Sequence, residues 1–183
     1  PGMSTGQLIK GRNKKSIVFN LKIPEARAPF EKLIETADVF VHNIRPKAAA
    51  RLRIDYDTIS KLRPDIIYAS ATGFGEDGPY ADKPAYDDLI QAASGIASLY
   101  GRVTGSPKYA PSVMADKTTG LFLSNYIVMA LFHRERTGEG QKLHVPMYES
   151  FASFVINEHL QGLTFVPPTG PSGYSRLLTT NRR

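Results

Sequence analysis

Residues 66–72 read IIYASAT, a run of β-branched, aromatic and small side chains placed just after the helix breaker Pro64 and just before Gly73. That composition and bracketing predict a strand. Upstream, VFVHN at 39–43 predicts a second strand, and SIVFNL at 16–21 has the same strand character. Downstream, KLHVPM at 142–147 predicts another. Between them the pattern turns helical: Phe30, Leu33, Ile34 and Ala37 share one face behind Pro24. A helical stretch follows Pro46, and a short helix starts near Asp55. YDDLIQAASGIASLY (86–100) and the apolar segment Met114–Arg134 predict further helices, the latter closed by the turn RTGEGQ. Tyr148–Leu163 predicts the last. Strands that alternate with helices specify an α/β fold with a mostly parallel, Rossmann-like sheet flanked by helices.

Composition sets the outer limits. A hydrophobic share of 42% with 22% charged residues is ordinary for a globular domain, so disordered and fibrous classes drop out. The apolar runs are interrupted before they reach the length of a membrane span, and no signal-peptide pattern is visible. The expectation is a soluble, cytoplasmic protein. With no cysteine and no Asn-x-Ser/Thr sequon, disulfide frameworks and thiolate chemistry are excluded. The formal net charge of +6 suits an anionic partner. Yet the basic residues fall in small scattered groups without a nucleic-acid module, so no nucleic acid is expected.

Several motifs fail on inspection. Gly73-Phe74-Gly75-Glu76-Asp77-Gly78 matches a dinucleotide fingerprint in letters, but Pro79 and more loop follow where a helix should begin. Two carboxylates would also face the phosphates. The four histidines, at 42, 133, 144 and 159, lack ligand spacing, so no metal is expected. No G-x-S-x-G elbow is present.

Asp116 is different. It precedes Lys117-Thr118-Thr119-Gly120 and the apolar run LFLSNYIVMALF, at what reads as a helix entrance. One reading is an N-cap, whose side chain accepts a first-turn N–H. The other uses the same position for chemistry: positive helix-end potential keeps the carboxylate ionised, and the anion attacks an activated acyl group. Ionisation there predicts a weaker nucleophile but a better leaving group. Asn43-Ile44-Arg45-Pro46, with Arg51 further on, follows the end of a strand, where ligands bind in open α/β sheets. Arg45 and Arg51 are either phosphate ligands or solvated helix-surface residues.

Taken in order, HNIRPKAAARL, PDIIYASATGFGEDGPYADKPAYDDLIQAASG, ADKTTG and ALFHRERTGEGQKLHVPM closely resemble the class III CoA-transferases, the CaiB/BaiF group that includes formyl-CoA transferase. The resemblance runs from about Gly11 onward. It implies that the chain is an incomplete large domain of that fold, with residues 1–165 the partial CoA-binding and catalytic unit. It likewise implies that 166–183 link towards an absent small domain. By resemblance Asp116 is the catalytic aspartate, acylated by an acyl-CoA and then carrying CoA as a thioester before a small carboxylic acid takes it over. CoA contacts carry over to Phe19, Asn20, Leu21, Lys22, Asn43, Ile44, Arg45, Arg51 and the segment Lys83, Pro84, Ala85, Tyr86. Asn20 stands where many relatives have an acid. Asp87 matches an acidic position that orients the site; its alternative role is a helix N-terminal carboxylate. The resemblance further implies an interlocked homodimer, acyl-CoA as substrate and no metal.

Two other readings compete. Racemases of α-methylacyl-CoA share the fold but need an acid/base pair, and Ala85-Tyr86-Asp87 puts a tyrosine where their histidine belongs. A non-catalytic module that binds a polyanion is the third.

Overall fold

A computed structural model describes residue 2 and residues 4–173. Three parallel strands form its sheet, in the order β1 (Val39–His42), β2 (Ile67–Thr72), β3 (Gln141–Pro146). The central strand β2 is buried along nearly its whole length. Its unbroken apolar and small-residue run has that cause, since a parallel strand covered on both faces does not alternate.

Eight α-helices flank the sheet among the described residues. The segment α1 (Thr5–Lys10) precedes α2 (Arg27–Glu35), which follows a single 3-10 turn at Pro24–Ala26. Between β1 and β2 lie α3 (Pro46–Leu52) and α4 (Tyr56–Leu62), the latter capped by the Asp55 carboxylate on the Thr58 N–H at 3.1 Å. Phe30, Ile34, Ala49, Ile54, Ile59, Ile66 and Tyr68 pack together there as one core cluster. After β2 come α5 (Asp87–Ala93), α6 (Ile96–Thr104) and α7 (Met114–Thr137), and α8 (Met147–Leu160) follows β3 directly. A second cluster, Ile90, Ala115, Phe151 and Val155, joins α5, α7 and α8.

Three expectations change. SIVFNL is not a strand: its residues find no neighbouring strand, and Val18 is left 91% exposed. Phe19 instead turns inward, edge-on to Phe30 with ring centroids 6.0 Å apart, and Leu21 joins the same core. The single helix expected over 86–100 is broken at Gly95, whose φ of 81° is left-handed, where the chain passes the His159 ring. The last helix ends at Leu160, and a 3-10 turn covers Gln161–Thr164. The segment after Val166 folds back, with the Gly173 N–H donating to the Glu158 carbonyl at 2.8 Å. The remainder of the expected linker, 174–183, lies outside the described residues.

The direction of α7 fixes where a site can form. Near its C-terminus Arg134 reaches the Asp38 carboxylate (3.0 Å) and that of Asp65 (3.7 Å), and Arg63 bonds the same two acids. Asp38 and Asp65 lie at the amino ends of β1 and β2, so α7 runs against the strands and its first turn faces their carboxyl ends. The helix stops at Gly138, φ 76°, whose N–H bonds the Arg134 carbonyl. Gly140 then lies against backbone: a Cβ there would sit 2.5 Å from the Asp65 carbonyl carbon and 2.6 Å from the Ile66 oxygen.

These two glycines are limited by different things. Gly138→Ala meets open space and loses only its left-handed preference, about 1–2 kcal/mol. Gly140→Ala has to move the β2–β3 backbone and is expected to lower the urea midpoint further. Equal midpoints, or a worse Gly138→Ala, would contradict this packing.

Candidate active site

The first turn of α7 begins at Met114, and its N-cap residue, Val113, offers no side-chain cap. Asp116 is therefore inside the first turn rather than at the cap. Its own N–H, one of the donors that a helix start leaves without an intrahelical partner, is taken by Asp87 Oδ1 at 3.0 Å. Capping arrives from another helix, and the Asp116 carboxylate is not used for it.

Asp87 is the first residue of α5 and only 7% exposed. Its other oxygen accepts from Gln91 Nε2 at 2.5 Å, one helical turn on. Gln91 is fully buried; its Nε2 also donates to the Ser112 carbonyl (3.1 Å), while its Oε1 accepts the Ala110 N–H (2.9 Å). One carboxylate and one amide thus fasten the loop that leads into α7. Met114 and Ala115 pack against the cluster of α5 and α8, whose edge includes Phe74, Ala85, Met147 and Tyr148.

Asp116 lies exposed at the helix start, and its carboxyl is raised above the usual range by partial desolvation first and then by the Asp87 charge, with Lys10 opposing. The direction differs from the expectation of a helix-end carboxylate held unusually acidic. Partial desolvation, reinforced by the neighbouring acid, makes this carboxylate more basic than an ordinary one.

The loop after β2 forms the adjoining wall. Glu149, in the first turn of α8, accepts the Gly75 N–H at 2.9 Å, and a Cβ at Gly75 would lie 2.7 Å from that oxygen. Thr72 Oγ1 bonds the Phe74 carbonyl (2.9 Å) and receives the His144 Nε2–H (2.6 Å). The glycine string is thus a fastened turn, followed by loop until α5. Phe74 meets Tyr80 edge-on, and the Lys83 ammonium lies 4.1 Å from the Tyr80 ring centroid.

Across this loop stands the turn after β1. Asn43 and Arg45 are exposed and Ile44 half-buried. Arg45 caps α3 with its carbonyl, and Nη1 donates to the Asp82 carbonyl at 3.4 Å. Arg45, Lys47, Arg51 and Asp82 line one open groove. Lys47 pairs with Asp82 at 2.5 Å, fully in solvent, where such a pair adds little. Phe19 and Leu21 are spent on packing, whereas Asn20 and Lys22 stay exposed in a turn in which Asn20 Oδ1 accepts the Lys22 N–H (3.2 Å). Pro84 is exposed; Ala85 is pressed against Gly73, where a Cβ would come within 2.3 Å of its own. Tyr86, 73% exposed, precedes α5. The structure thus brings Asp116, Asp87 and Ala85 to one corner and Arg45 and Arg51 to one groove, whereas Ile44 lines a separate small cleft beside His42 and Asn43 lines neither. The Lys83 loop runs between them, while Phe19–Lys22 lie by the α2 core.

Gln91, Glu149 and His42 were not singled out by sequence. The first is signalled by its i, i+4 spacing from Asp87, the second by an acid in the first turn after a strand. Among the described residues no three His, Asp or Glu side chains converge as a metal site would require, and no helix is long and apolar enough to cross a membrane.

The geometry defines an α/β domain with a three-stranded parallel sheet, flanking helices and a carboxylate in the first turn of a long helix. Residues 2–179 match CoA-transferase family III, and the chain belongs to that family. It is 38% identical over 152 residues to a succinate–glutarate CoA-transferase of Agrobacterium fabrum, with 83% of this chain and 38% of the relative covered. It is 41% identical over 145 residues to an acetyl-CoA:oxalate CoA-transferase of Acetobacter aceti, covering 79% and 37%. The crystal structure of a CaiB/BaiF family protein from Brucella suis superposes with a TM-score of 0.80 at 31% identity, covering 89% of this chain and 43% of that one. The chain therefore spans less than two-fifths of the length of these two curated relatives.

The Asp87 contacts make a prediction about charge. Asp87→Asn retains an oxygen for the Asp116 N–H but removes the like charge, so Asp116 should titrate lower, towards the ordinary value of about 3.9. It also leaves Gln91 Nε2 facing a donor, at a cost of about 1–3 kcal/mol. Carboxyl carbon NMR titration and urea unfolding read the two effects; an Asp116 titration that stays put or rises would contradict the arrangement.

Proposed function

We propose that the complete protein is a CoA-transferase in which Asp116 carries first the acyl group and then CoA. The observation that supports this most is the cap supplied by Asp87, which leaves the Asp116 carboxylate free at a helix start, with its basicity raised. The carboxylate attacks the thioester carbonyl of an acyl-CoA, forming an aspartyl-acyl anhydride and releasing CoA thiolate. The thiolate attacks the aspartyl carbonyl, giving an aspartyl-CoA thioester and freeing the donor acid. The acceptor carboxylate displaces thiolate again to make a second anhydride. Thiolate then attacks the acceptor's carbonyl, and the new acyl-CoA leaves with Asp116 restored. No water or net proton is consumed in the cycle. The positive end of α7 favours the charge that builds on each tetrahedral oxygen.

Arg45 and Arg51 meet CoA phosphates in the α3 groove, with Asn43, Ile44 and the Lys83–Tyr86 segment along the same molecule. Phe19–Lys22 contribute through Asn20, Lys22 and the backbone. The donor and acceptor are small acids, a class represented in the relatives' names by succinate, glutarate and oxalate. In this reading residues 1–165 belong to the large domain of a soluble, cytoplasmic homodimer. The racemase alternative lacks support at its key position: Tyr86 is exposed, and Asp87 is buried and committed to Gln91 and Asp116.

Mass spectrometry of the complete protein after incubation with short acyl-CoAs tests the assignment. A hydroxylamine-sensitive adduct should map to the peptide that contains Asp116 and vanish in Asp116→Ala, with loss of transfer by several orders of magnitude. An adduct on another residue would overturn it.

A further inference from the structure

The end of β1 contains a hydrogen-bonded chain that the reaction above does not use. The Ile44 N–H donates to His42 Nδ1 at 3.0 Å, which leaves the ring proton on Nε2. That Nε2–H donates to Tyr68 Oη at 2.6 Å, and the Tyr68 hydroxyl donates to the Ile54 carbonyl at 3.1 Å. Every donor in the chain has one acceptor, and only the neutral Nε2–H imidazole satisfies all three bonds. Tyr68 is itself held: it is 3% exposed and edge-on to both His42 and Tyr56. The Ile44 amide is therefore anchored to the core through two aromatic side chains. The next residue is Arg45, whose carbonyl starts α3 by accepting the Ala48 and Ala49 N–H groups. This backbone bond holds the turn from the β1 side, while the α3 start and the Asp82 carbonyl hold Arg45 from the other.

We propose that His42 is the positioning residue of the Asn43–Arg45 turn, and that the protein's hold on CoA loosens when this imidazole takes a second proton. The proposal rests on the assignment of that turn to CoA. Protonation puts an N–H on Nδ1, opposite the Ile44 N–H, and two donors then face each other where a bond was. The turn is released from Tyr68 and the arginine is no longer set.

The surroundings define the pH window. The same small cleft, about 110 Å³, is lined by Asp55 and Tyr56 from the start of α4, Tyr68 and Ser70 from β2, Glu76 from the following loop and Lys142 from β3. Asp55 is committed to the Thr58 N–H and hydroxyl, and Glu76 and Lys142 face each other at 3.7 Å. Among the described residues no carboxylate bonds the imidazole directly. Burial is the larger influence and lowers the His42 pKa from 6.5. The folded protein thus prefers the neutral ring. The bond is intact above that ordinary value and is lost as pH falls through the lower folded one.

Calorimetric titration of CoA into the complete protein, from neutral pH down through the lowered His42 titration, reads the effect. Loss of one such bond is expected to weaken CoA binding about 3- to 10-fold on the acid side. His42→Phe should bind weakly with a flat profile. His42→Asn, whose side-chain oxygen can accept the N–H two residues on, should keep tight binding and also lose the acid dependence. Nitrogen-15 NMR of the wild type without CoA gives an independent reading, in which the Ile44 amide must shift together with the His42 ring. If CoA binds but the Ile44 amide ignores that titration, or His42→Phe retains wild-type affinity and slope, the role of His42 is overturned. Failure of the wild type to bind CoA at all would instead overturn the CoA assignment of the turn.

Discussion

The hydrogen bond from the Asp116 N–H to the buried Asp87 carboxylate is the constraint on which the proposed site depends. A helix start needs acceptors for its first donors, and the ordinary solution is a side chain next to it in sequence. Here the acceptor is carried by α5, so the acid in the first turn of α7 keeps both oxygens. The arrangement leaves two carboxylates at one corner, and the cost of keeping them together is offset by the Gln91 amide and the helix start. Their mutual repulsion also raises Asp116, in the direction a nucleophile requires.

From that corner the rest of the architecture follows as support. The Arg63 and Arg134 network ties the far end of α7 to the amino ends of the strands, and the antiparallel run of the helix delivers Asp116 to their carboxyl ends. The loop after β2 is fastened by Glu149, Thr72 and His144, and it separates the acid corner from the arginine groove. A long, flexible thioester could span such a separation, its phosphates at one side and its reacting carbonyl at the other.

Much of this was legible in the sequence. The strands at 39–43, 66–72 and 142–147, the helix after Pro46 and the apolar helix expected over Met114–Arg134 are set by local pattern; the structure has the strands within a residue and extends the last helix to Thr137. SIVFNL was misleading because strand propensity needs a partner strand, and none pairs with it here. The break at Gly95 was hidden because apolar spacing continues across it, and only backbone conformation and the approach of His159 interrupt the helix. Asp116 was visible as an acid at a helix start, but its freedom from capping was not. That depends on Asp87, twenty-nine residues earlier, and on packing that no local pattern encodes. His42 was dismissed with the other histidines for the same reason, since its partners are Tyr68 and a backbone amide rather than a second ligand at regular spacing.

The central claim is that Asp116 exchanges its own oxygen with the acids it processes. Turnover of the complete protein with an acceptor acid labelled with oxygen-18 in its carboxylate, followed by mass spectrometry of the Asp116 peptide, tests it directly. In the two-anhydride cycle the last thiolate attack leaves one acceptor oxygen on the enzyme, so the peptide should gain one heavy oxygen at Asp116 in a single turnover and up to two as turnovers repeat. A peptide that stays unlabelled while labelled acceptor is converted to its CoA thioester would contradict the account.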